Sequence, residues 1–413
     1  MSDSDEEEDE FQLELMRESS PEEEEAAIPE DEREEWSLHE MGRHGYMFED
    51  SAGIIRNELN ARLTDDEFFA RDPILEGVPV MNFQSVILPG EVVPLQRSFP
   101  YDEEAAREYV SIKEATRSNI LLAVYSGTAT GNHGTILLIT EYIQASQGEP
   151  IKAVGRAMSR ARILNVIQHV DGNENATVEK VRDDECLPFE AAFNTSSVLR
   201  MPYRIQLKLA CVSSGQSEHV VASKRTATRC LHVLEFMKLW MAVDRVERLN
   251  RLGFRQITRF ATRHIPLDEE CKRALHGCVS IDQQLFLLSL IQRDVRAVCR
   301  NCEATLFIPG DATSLNDMDA CSAYFVNPND YLHDVVLVRE VRSGRLVGEA
   351  SFDYSWFHGY GWRLAYCSDC TKHIGWQFTS PTYRPAAFYG VTRAAFMYKS
   401  ADKTLEKYLS QYL

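Results

Sequence analysis

At 413 residues the chain is long enough for two or three separate cores, and 44 basic against 63 acidic residues leave a net charge of −19. Residues 1–35 hold 18 of the acids and two of the bases, so the acidity belongs to the start and the remainder is close to neutral. A start of that sign repels phosphate, which excludes nucleic acid as an expected ligand, and no run of about 18 apolar residues is present to cross a membrane. With no basic, apolar leader the chain reads as not secreted, and its ten cysteines read as reduced thiols.

Residues 1–35 are too charged and too poor in apolar groups to offset their ordering entropy, so they are expected to be disordered. Residues 36–72 read as a partly ordered lead-in, with Trp36 and Glu67–Phe69 as docking points. From Val78 the pattern is β: Val78–Met81, Val86–Gly90 and Val92–Leu95, with the prolines read as strand ends. Asp102 suits the N-cap of a helix that carries Ala106 and Val110 on one face. Strands are expected at Ile120–Tyr125, Thr135–Tyr142 and Lys152–Ile167, with a turn-rich Ser126–Gly134 between the first two. Neither a G-x-x-x-x-G-K-[ST] phosphate loop nor a Ser-Lys or Ser-His-Asp pattern stands out, so neither ATPase nor protease chemistry is expected.

From about Leu187 the chain turns irregular and then helical. Leu231, Leu234, Met237, Trp240 and Met241 recur at helical spacing, while Val233, Phe236 and Leu239 fill the other side. A helix apolar nearly all round is buried, either in its own core or against a partner. Ser280-Ile-Asp-Gln283 is a capping box that starts a helix with Ile281, Leu285 and Leu288 on one face. Residues 400–413 place Leu405, Tyr408, Leu409 and Tyr412 on one face of a short terminal helix. Cys186, Cys211, Cys230, Cys271, Cys278 and Cys321 read as core residues.

Tyr354 to Phe378 holds three of the five tryptophans and one of two Cys-x-x-Cys pairs. Trp356 and Trp362 flank Phe357-His358-Gly359-Tyr360-Gly361, a loop whose glycines suit a hairpin. The two indoles are then expected as cross-strand neighbours on one ribbon face. Trp376 and Phe378, two apart, share a strand face. Cys367 and Cys370, with Cys299 and Cys302 upstream, point to one closed, structural four-thiolate zinc site, although the 64 residues between the pairs far exceed a zinc ribbon. A redox disulfide in either pair, or unrelated buried thiols, are the alternatives. An aromatic cage suits two ligand classes: a quaternary ammonium such as methyl-lysine, held by cation–π attraction, or a flat cyclic imide, stacked and oriented by edge hydrogen bonds. The default for such tryptophans is a core role.

Six pieces of this region together resemble the C-terminal zinc domain of the cereblon family, the thalidomide-binding proteins. They are Ala323-Tyr324-Phe325-Val326-Asn327-Pro328, Ser355-Trp356-Phe357, Gly359-Tyr360-Gly361-Trp362, Cys367-x-x-Cys370, His373-Ile374-Gly375-Trp376-x-Phe378 and Gly390-Val391-Thr392-Arg393-Ala394. The likeness continues more weakly to about residue 75, where the strand–helix–strand order resembles the N-terminal domain of Lon proteases, as the family's first domain does. The resemblance implies a cytoplasmic and nuclear substrate receptor of a cullin–RING ubiquitin ligase, with protein substrates. It implies a cyclic imide held by Trp356, Trp362, Trp376 and Phe378, with Tyr354 and Ser355 beside them and Asn327 and Pro328 at the rim. It also implies that the helical middle docks the damage-specific DNA-binding propeller adaptor of that ligase. Two positions depart from the family: Tyr354 and Asn329 each stand where it has His. Zinc-stapled domains of this kind also resemble B-type methionine sulfoxide reductases, which need a cysteine beyond the second pair. None follows Cys370, so no catalysis is expected.

The expected fold is therefore α+β. A disordered acidic tail and lead-in (1–72) precede a Lon-like β domain (73–186) and a helical adaptor-binding region (187–296). A β-rich zinc domain of the β-tent type, with a C-terminal helix, closes the chain (297–413).

Overall fold

The computed structural model describes residues 54–98, 102–125, 132–143, 150–170, 172–183, 218–249, 252–278, 280–291, 295–315, 320–401 and 403–410. The acidic tail, Trp36, Cys186, Cys211, most of the Ser126–Gly134 turn, the irregular stretch after Leu187 and Tyr412 lie outside the described residues. Residues 43–413 form one compact unit.

Its first part is a sheet of seven strands: β1 (Ile54–Arg56), β2 (Ile74–Phe83), β3 (Val92–Arg97), β4 (Ile120–Tyr125), β5 (His133–Ile143), β6 (Ile151–Gln168) and β7 (Glu174–Val181). Their order is β1-β5-β4-β2-β7-β6-β3, and a further β5–β6 pairing closes the inner strands into a barrel. Only β2 and β4 run parallel. The inner strands are apolar on both faces because both faces are covered. Val80, Leu122 and Ile136 join one core, while Met81, Leu121 and Leu137 join another. Helix α3 (Glu103–Ser118) follows β3, capped by Asp102, whose carboxylate accepts from the Ala105 N–H at 2.7 Å.

Several expectations change here. The lead-in belongs to the fold from β1 onward: β1 pairs with β5, and Phe68 in the short helix α2 (Asp65–Ala70), preceded by α1 (Glu58–Arg62), is 3% exposed. Val86–Gly90 is not a strand but a buried connector whose Leu88 N–H is held by the Glu91 carboxylate. An apolar run with no alternation reads the same in either state. Pro94 lies inside β3 rather than at its end, which is tolerated because β3 is the sheet edge. Pro79 lies inside β2, just past a shift in its register with β7 between Leu75 and Val78. Strand β7 itself went unread.

The helical region comprises α4 (Glu218–Met237), α5 (Val243–Leu249), α6 (Phe254–His264), α7 (Glu269–Gly277) and α8 (Ile281–Leu290). The capping box at Ser280 and Gln283 starts α8 as expected. α4 stops at Met237, so Trp240 and Met241 follow in a turn. Val233, Leu234, Phe236 and Met237 are buried in the protein's own core, whereas Leu231, Leu239 and Val243 are exposed. The apolar excess around this helix is thus mostly internal, with a smaller apolar remainder facing out.

Two sheets follow. One has three strands in the order β16 (Phe396–Ser400), β8 (Val295–Cys299), β9 (Thr305–Phe307). The other has six: β10 (Ser322–Val326), β11 (Leu332–Val338), β15 (Ala387–Thr392), β14 (His373–Thr379), β13 (Gly361–Cys367) and β12 (Gly344–Ser351). Helix α9 (Thr404–Leu409) ends the described chain and packs Tyr408 edge-on against Phe286 of α8. One hydrophobic core runs through these parts, joining Leu88, the inner faces of α4 to α8, Phe307, Phe396 and Leu405. At its margin, Lys272 is 0% exposed and donates to Glu91 from before β3, and to Tyr324 and Asp334 of the six-stranded sheet. Arg393, 1% exposed, donates to the same Asp334 oxygen at 2.8 Å.

Candidate functional site

The two Cys-x-x-Cys pairs are turns of the same build on different sheets. In each, the first cysteine ends a strand, Cys299 in β8 and Cys367 in β13. Its N–H donates five residues ahead, to the carbonyl of Ala304 or Lys372, both at 2.8 Å. Its carbonyl accepts from the residue four ahead, Glu303 or Thr371, and each of these is left-handed, with φ of 63° and 59°. The tight turn aims both thiols of a pair in one direction. All four sulfurs lie within 4.8 Å of one another, with Cys299–Cys370 and Cys302–Cys367 at 3.6 Å. Four thiolates about 2.3 Å from a tetrahedral zinc would sit about 3.8 Å apart, whereas a disulfide needs about 2.05 Å. The donors therefore fit a metal of the zinc class, and no disulfide joins them. Cys370 is held down to about 6, chiefly by the Lys372 backbone N–H. Cys302, despite the Ala304 N–H, is pushed up to about 12 by its neighbouring thiols. A divalent ion binds such donors as thiolates, so its binding would release their protons.

The tryptophans lie at the far end of β13 and β14. Trp362 on β13 stands opposite Phe378 on β14, and Trp376 is two residues from Phe378, so all three share one sheet face. Trp362 and Trp376 are diagonal neighbours across the two strands, a relation that keeps large aromatic side chains within reach of one another. Trp356 is not the cross-strand neighbour of Trp362 that the hairpin reading expects. It sits in the loop 352–360, stacked on Phe325 at 4.8 Å and edge-on to Trp376 at 4.8 Å, while β12 supplies Ser351 opposite Trp362. The loop is longer than a hairpin because Phe357 and Tyr360 turn into the core. Gly359 has φ +75°, and a Cβ there would come within 2.2 Å of the Tyr383 ring.

Backbone carbonyls take two of the indole N–H groups: Val326 accepts from Trp356 at 3.2 Å and Asp353 from Trp362 at 2.8 Å. Their polar edges are thereby fixed, and Trp356, with one face on Phe325, keeps the other for stacking. All three tryptophans are half-buried, whereas Phe378 is 1% exposed and stacks on Phe388 at 5.2 Å. Phe378 is a floor under the cage. Tyr354 points to solvent, 79% exposed, with a left-handed φ of 54°. Ser355 keeps its hydroxyl within its own loop, on the Phe357 carbonyl. At the rim, the Asn327 side chain accepts from the Asn329 and Tyr331 N–H groups, both at 3.0 Å, and so shapes the turn that exposes Pro328.

Two cage residues escaped the sequence reading. Phe325 lay within a quoted motif but gave no sign of its stacking role. His333, paired in register with Phe325, puts its ring 5.1 Å from Trp376 and 5.5 Å from Trp356. Burial lowers its pKa to about 4, so it lines the cage as a neutral ring.

No family model matches the chain. A protein named cereblon from Danio rerio is 27% identical over 394 residues, covering 86% of each chain. Its namesake from Xenopus tropicalis is 26% identical over 393 residues, covering 85% of this chain and 82% of that protein. That from Gallus gallus is 24% identical over 385 residues, covering 84% and 82%. Among solved structures, the N-terminal domain of a Mycobacterium avium complex Lon protease matches with TM-score 0.34 and 20% identity, over 51% of this chain and 95% of that one. Along most of its length, the chain is a homologue of the proteins named cereblon.

Proposed function

We propose that this chain is a non-catalytic substrate-recognition subunit of a cullin–RING ubiquitin ligase, which holds cyclic-imide groups of its targets between Trp356, Trp362 and Trp376. The observation that carries the reading is the cage: Trp356 edge-on to Trp376 at 4.8 Å, Trp362 on the same sheet face, two indole N–H groups tied to backbone, and a neutral histidine beside them. Such walls take a flat, uncharged ring by stacking, and excluded water strengthens the few edge hydrogen bonds that orient it. A zinc ion held by Cys299, Cys302, Cys367 and Cys370 would pin the β13–β14 turn to the β8–β9 turn and so fix the strands that present Trp362 and Trp376. Its role is structural, since all four donors are protein thiols. The exposed apolar residues Leu231, Leu239 and Val243 offer the propeller adaptor a docking surface on the helical region.

Co-purification from cells tests the ligase reading. Full-length chain should recover the propeller adaptor and cullin, and Leu239→Asp with Val243→Asp should lose them while keeping imide binding. Recovery of neither by the unaltered chain removes the ligase role. The methyl-lysine reader is the rival: a cage for a cation would be favoured by a facing carboxylate, whereas Asp353 contributes a backbone carbonyl to Trp362.

A further inference from the structure

The turn Phe352–Ser355 joins two walls of the cage. The Ser355 N–H donates to the Phe352 carbonyl at 3.4 Å and closes it, while the Asp353 carbonyl at its centre accepts from the Trp362 indole at 2.8 Å. Ser351, just before the turn, stands opposite Trp362 on β13, and Trp356 follows directly after it. The turn is thus tied to one wall and runs straight into the other.

Its side chains do not behave as those of an ordinary surface turn. Tyr354, the third residue, has φ of 54°, a left-handed position that turns normally give to glycine or asparagine. It is 79% exposed, and Phe352 is 59% exposed. The Phe352 ring is nonetheless seated, since a Cβ on Gly361, the residue before Trp362, would come within 3.2 Å of it. Neither residue joins the core beneath the cage, and the bonds that close and anchor the turn use backbone carbonyls. Two rings left in solvent beside an aromatic cage gain contact only when something lies across them. Backbone strain of the Tyr354 kind clusters at sites that bind.

The occupant follows from the cage reading, on which this inference rests. An imide carried by a target has the target's chain attached, and a ring seated against Trp362 and Trp356 brings the adjoining residue to the turn that links those walls. We propose that Phe352 and Tyr354 are specificity-determining residues that hold the target residue joined to the imide and select an aromatic or large aliphatic side chain there. Contact of the two rings with such a side chain removes apolar surface from water on both partners. A basic side chain gains less, because the turn's one carboxylate, on the exposed Asp353, is already solvated.

Calorimetric titration of the full chain with free glutarimide, and with glutarimide coupled to phenylalanine, leucine, serine or lysine, tests this. Free glutarimide should bind, and the phenylalanine and leucine conjugates should bind about three- to tenfold tighter than the serine conjugate. Phe352→Ser should erase that ranking while the affinity for free glutarimide and the melting temperature stay unchanged. Tyr354→Gly, which suits the left-handed backbone and removes the ring, should narrow it. Equal binding of the conjugates, a lysine conjugate that binds tightest, or a ranking that either variant leaves intact overturns the inference and leaves the cage reading standing. Failure of free glutarimide itself to bind overturns the cage reading, and this inference with it.

Discussion

Trp362 and Phe378 face each other across β13 and β14, yet they should fail differently when truncated. Phe378 is fully buried among Phe357 and Phe388, so Phe378→Ala should cost about 3–5 kcal/mol of stability. Trp362 is half-buried at the wall, so Trp362→Ala should leave a folded protein that has lost ligand affinity. Denaturant unfolding beside a binding titration separates the two. If Phe378→Ala unfolds no earlier than the unaltered chain, it is not the floor. Acid provides a second test at this scale. Burial lowers His276 to about 3 and His333 to about 4, from 6.5. Such histidines bind protons more readily unfolded, so their contribution is complete above about pH 6.5 and is lost as pH falls toward 4. Buried Asp268, raised to about 6, acts in the opposite sense over part of that window, but it is one group against two. The melting temperature should therefore be lower at pH 5 than at pH 7, and imide affinity should stay flat from pH 8 to 5.5, where His333 remains neutral. A rise in stability on acidification would show the balance reversed. The sequence named Trp356, Trp362 and Trp376, since indoles near a Gly-rich loop are legible locally. It did not show which wall Trp356 forms, because Phe325 and His333 meet it only after β10 and β11 pair.

The two cysteine turns belong to different sheets, and this decides what metal loss does to whole elements. Cys367→Ser should lower zinc content and release the β13–β14 turn from β8–β9. β8, β16 and α9 share a core with α4 to α8, and Arg300 in the first turn is paired with Glu270 of α7 at 2.6 Å. Hydrogen exchange should therefore rise in the helical region as well as in the C-terminal sheets, and least in β4 and β5. A rise confined to residues near Cys367 would mean the sheets hold without the metal. Element identity was legible wherever local chemistry dictates it: the caps at Asp102 and Ser280 read correctly. The Val86–Gly90 connector did not, since burial alone made it apolar. β7 escaped because the face that buries Ala176 and Val178 also carries Glu174 and Lys180, the latter buried with its ammonium on the Phe68 carbonyl.

Across the whole unit, the buried charges join what the sequence divides. Lys272 of α7 meets Glu91, Tyr324 and Asp334, and Arg393 holds Asp334, whose carboxyl these cations keep below its ordinary range despite burial. Lys272→Met leaves Glu91 buried without its cation, which should destabilise the full chain by about 3–5 kcal/mol. Thermal melting checks it, and an unchanged midpoint would mean the network is neutral. Neither partner was legible, because Glu91 and Lys272 are 181 residues apart and carry no local signature. The same long-range packing makes the full chain the proper sample for ligand tests, since Phe396, Tyr398 and Leu405 are buried in the core shared with the helices.

Calorimetric titration of the full chain with a glutarimide compound, and separately with a trimethyl-lysine peptide, bears most directly on the cage. The imide should bind one to one and the peptide should not. Trp362→Ala should lose 2 kcal/mol or more of imide binding, roughly a thirtyfold loss, with zinc content and melting temperature retained. Binding of the peptide but not the imide, or an imide affinity untouched by Trp362→Ala, would contradict the account.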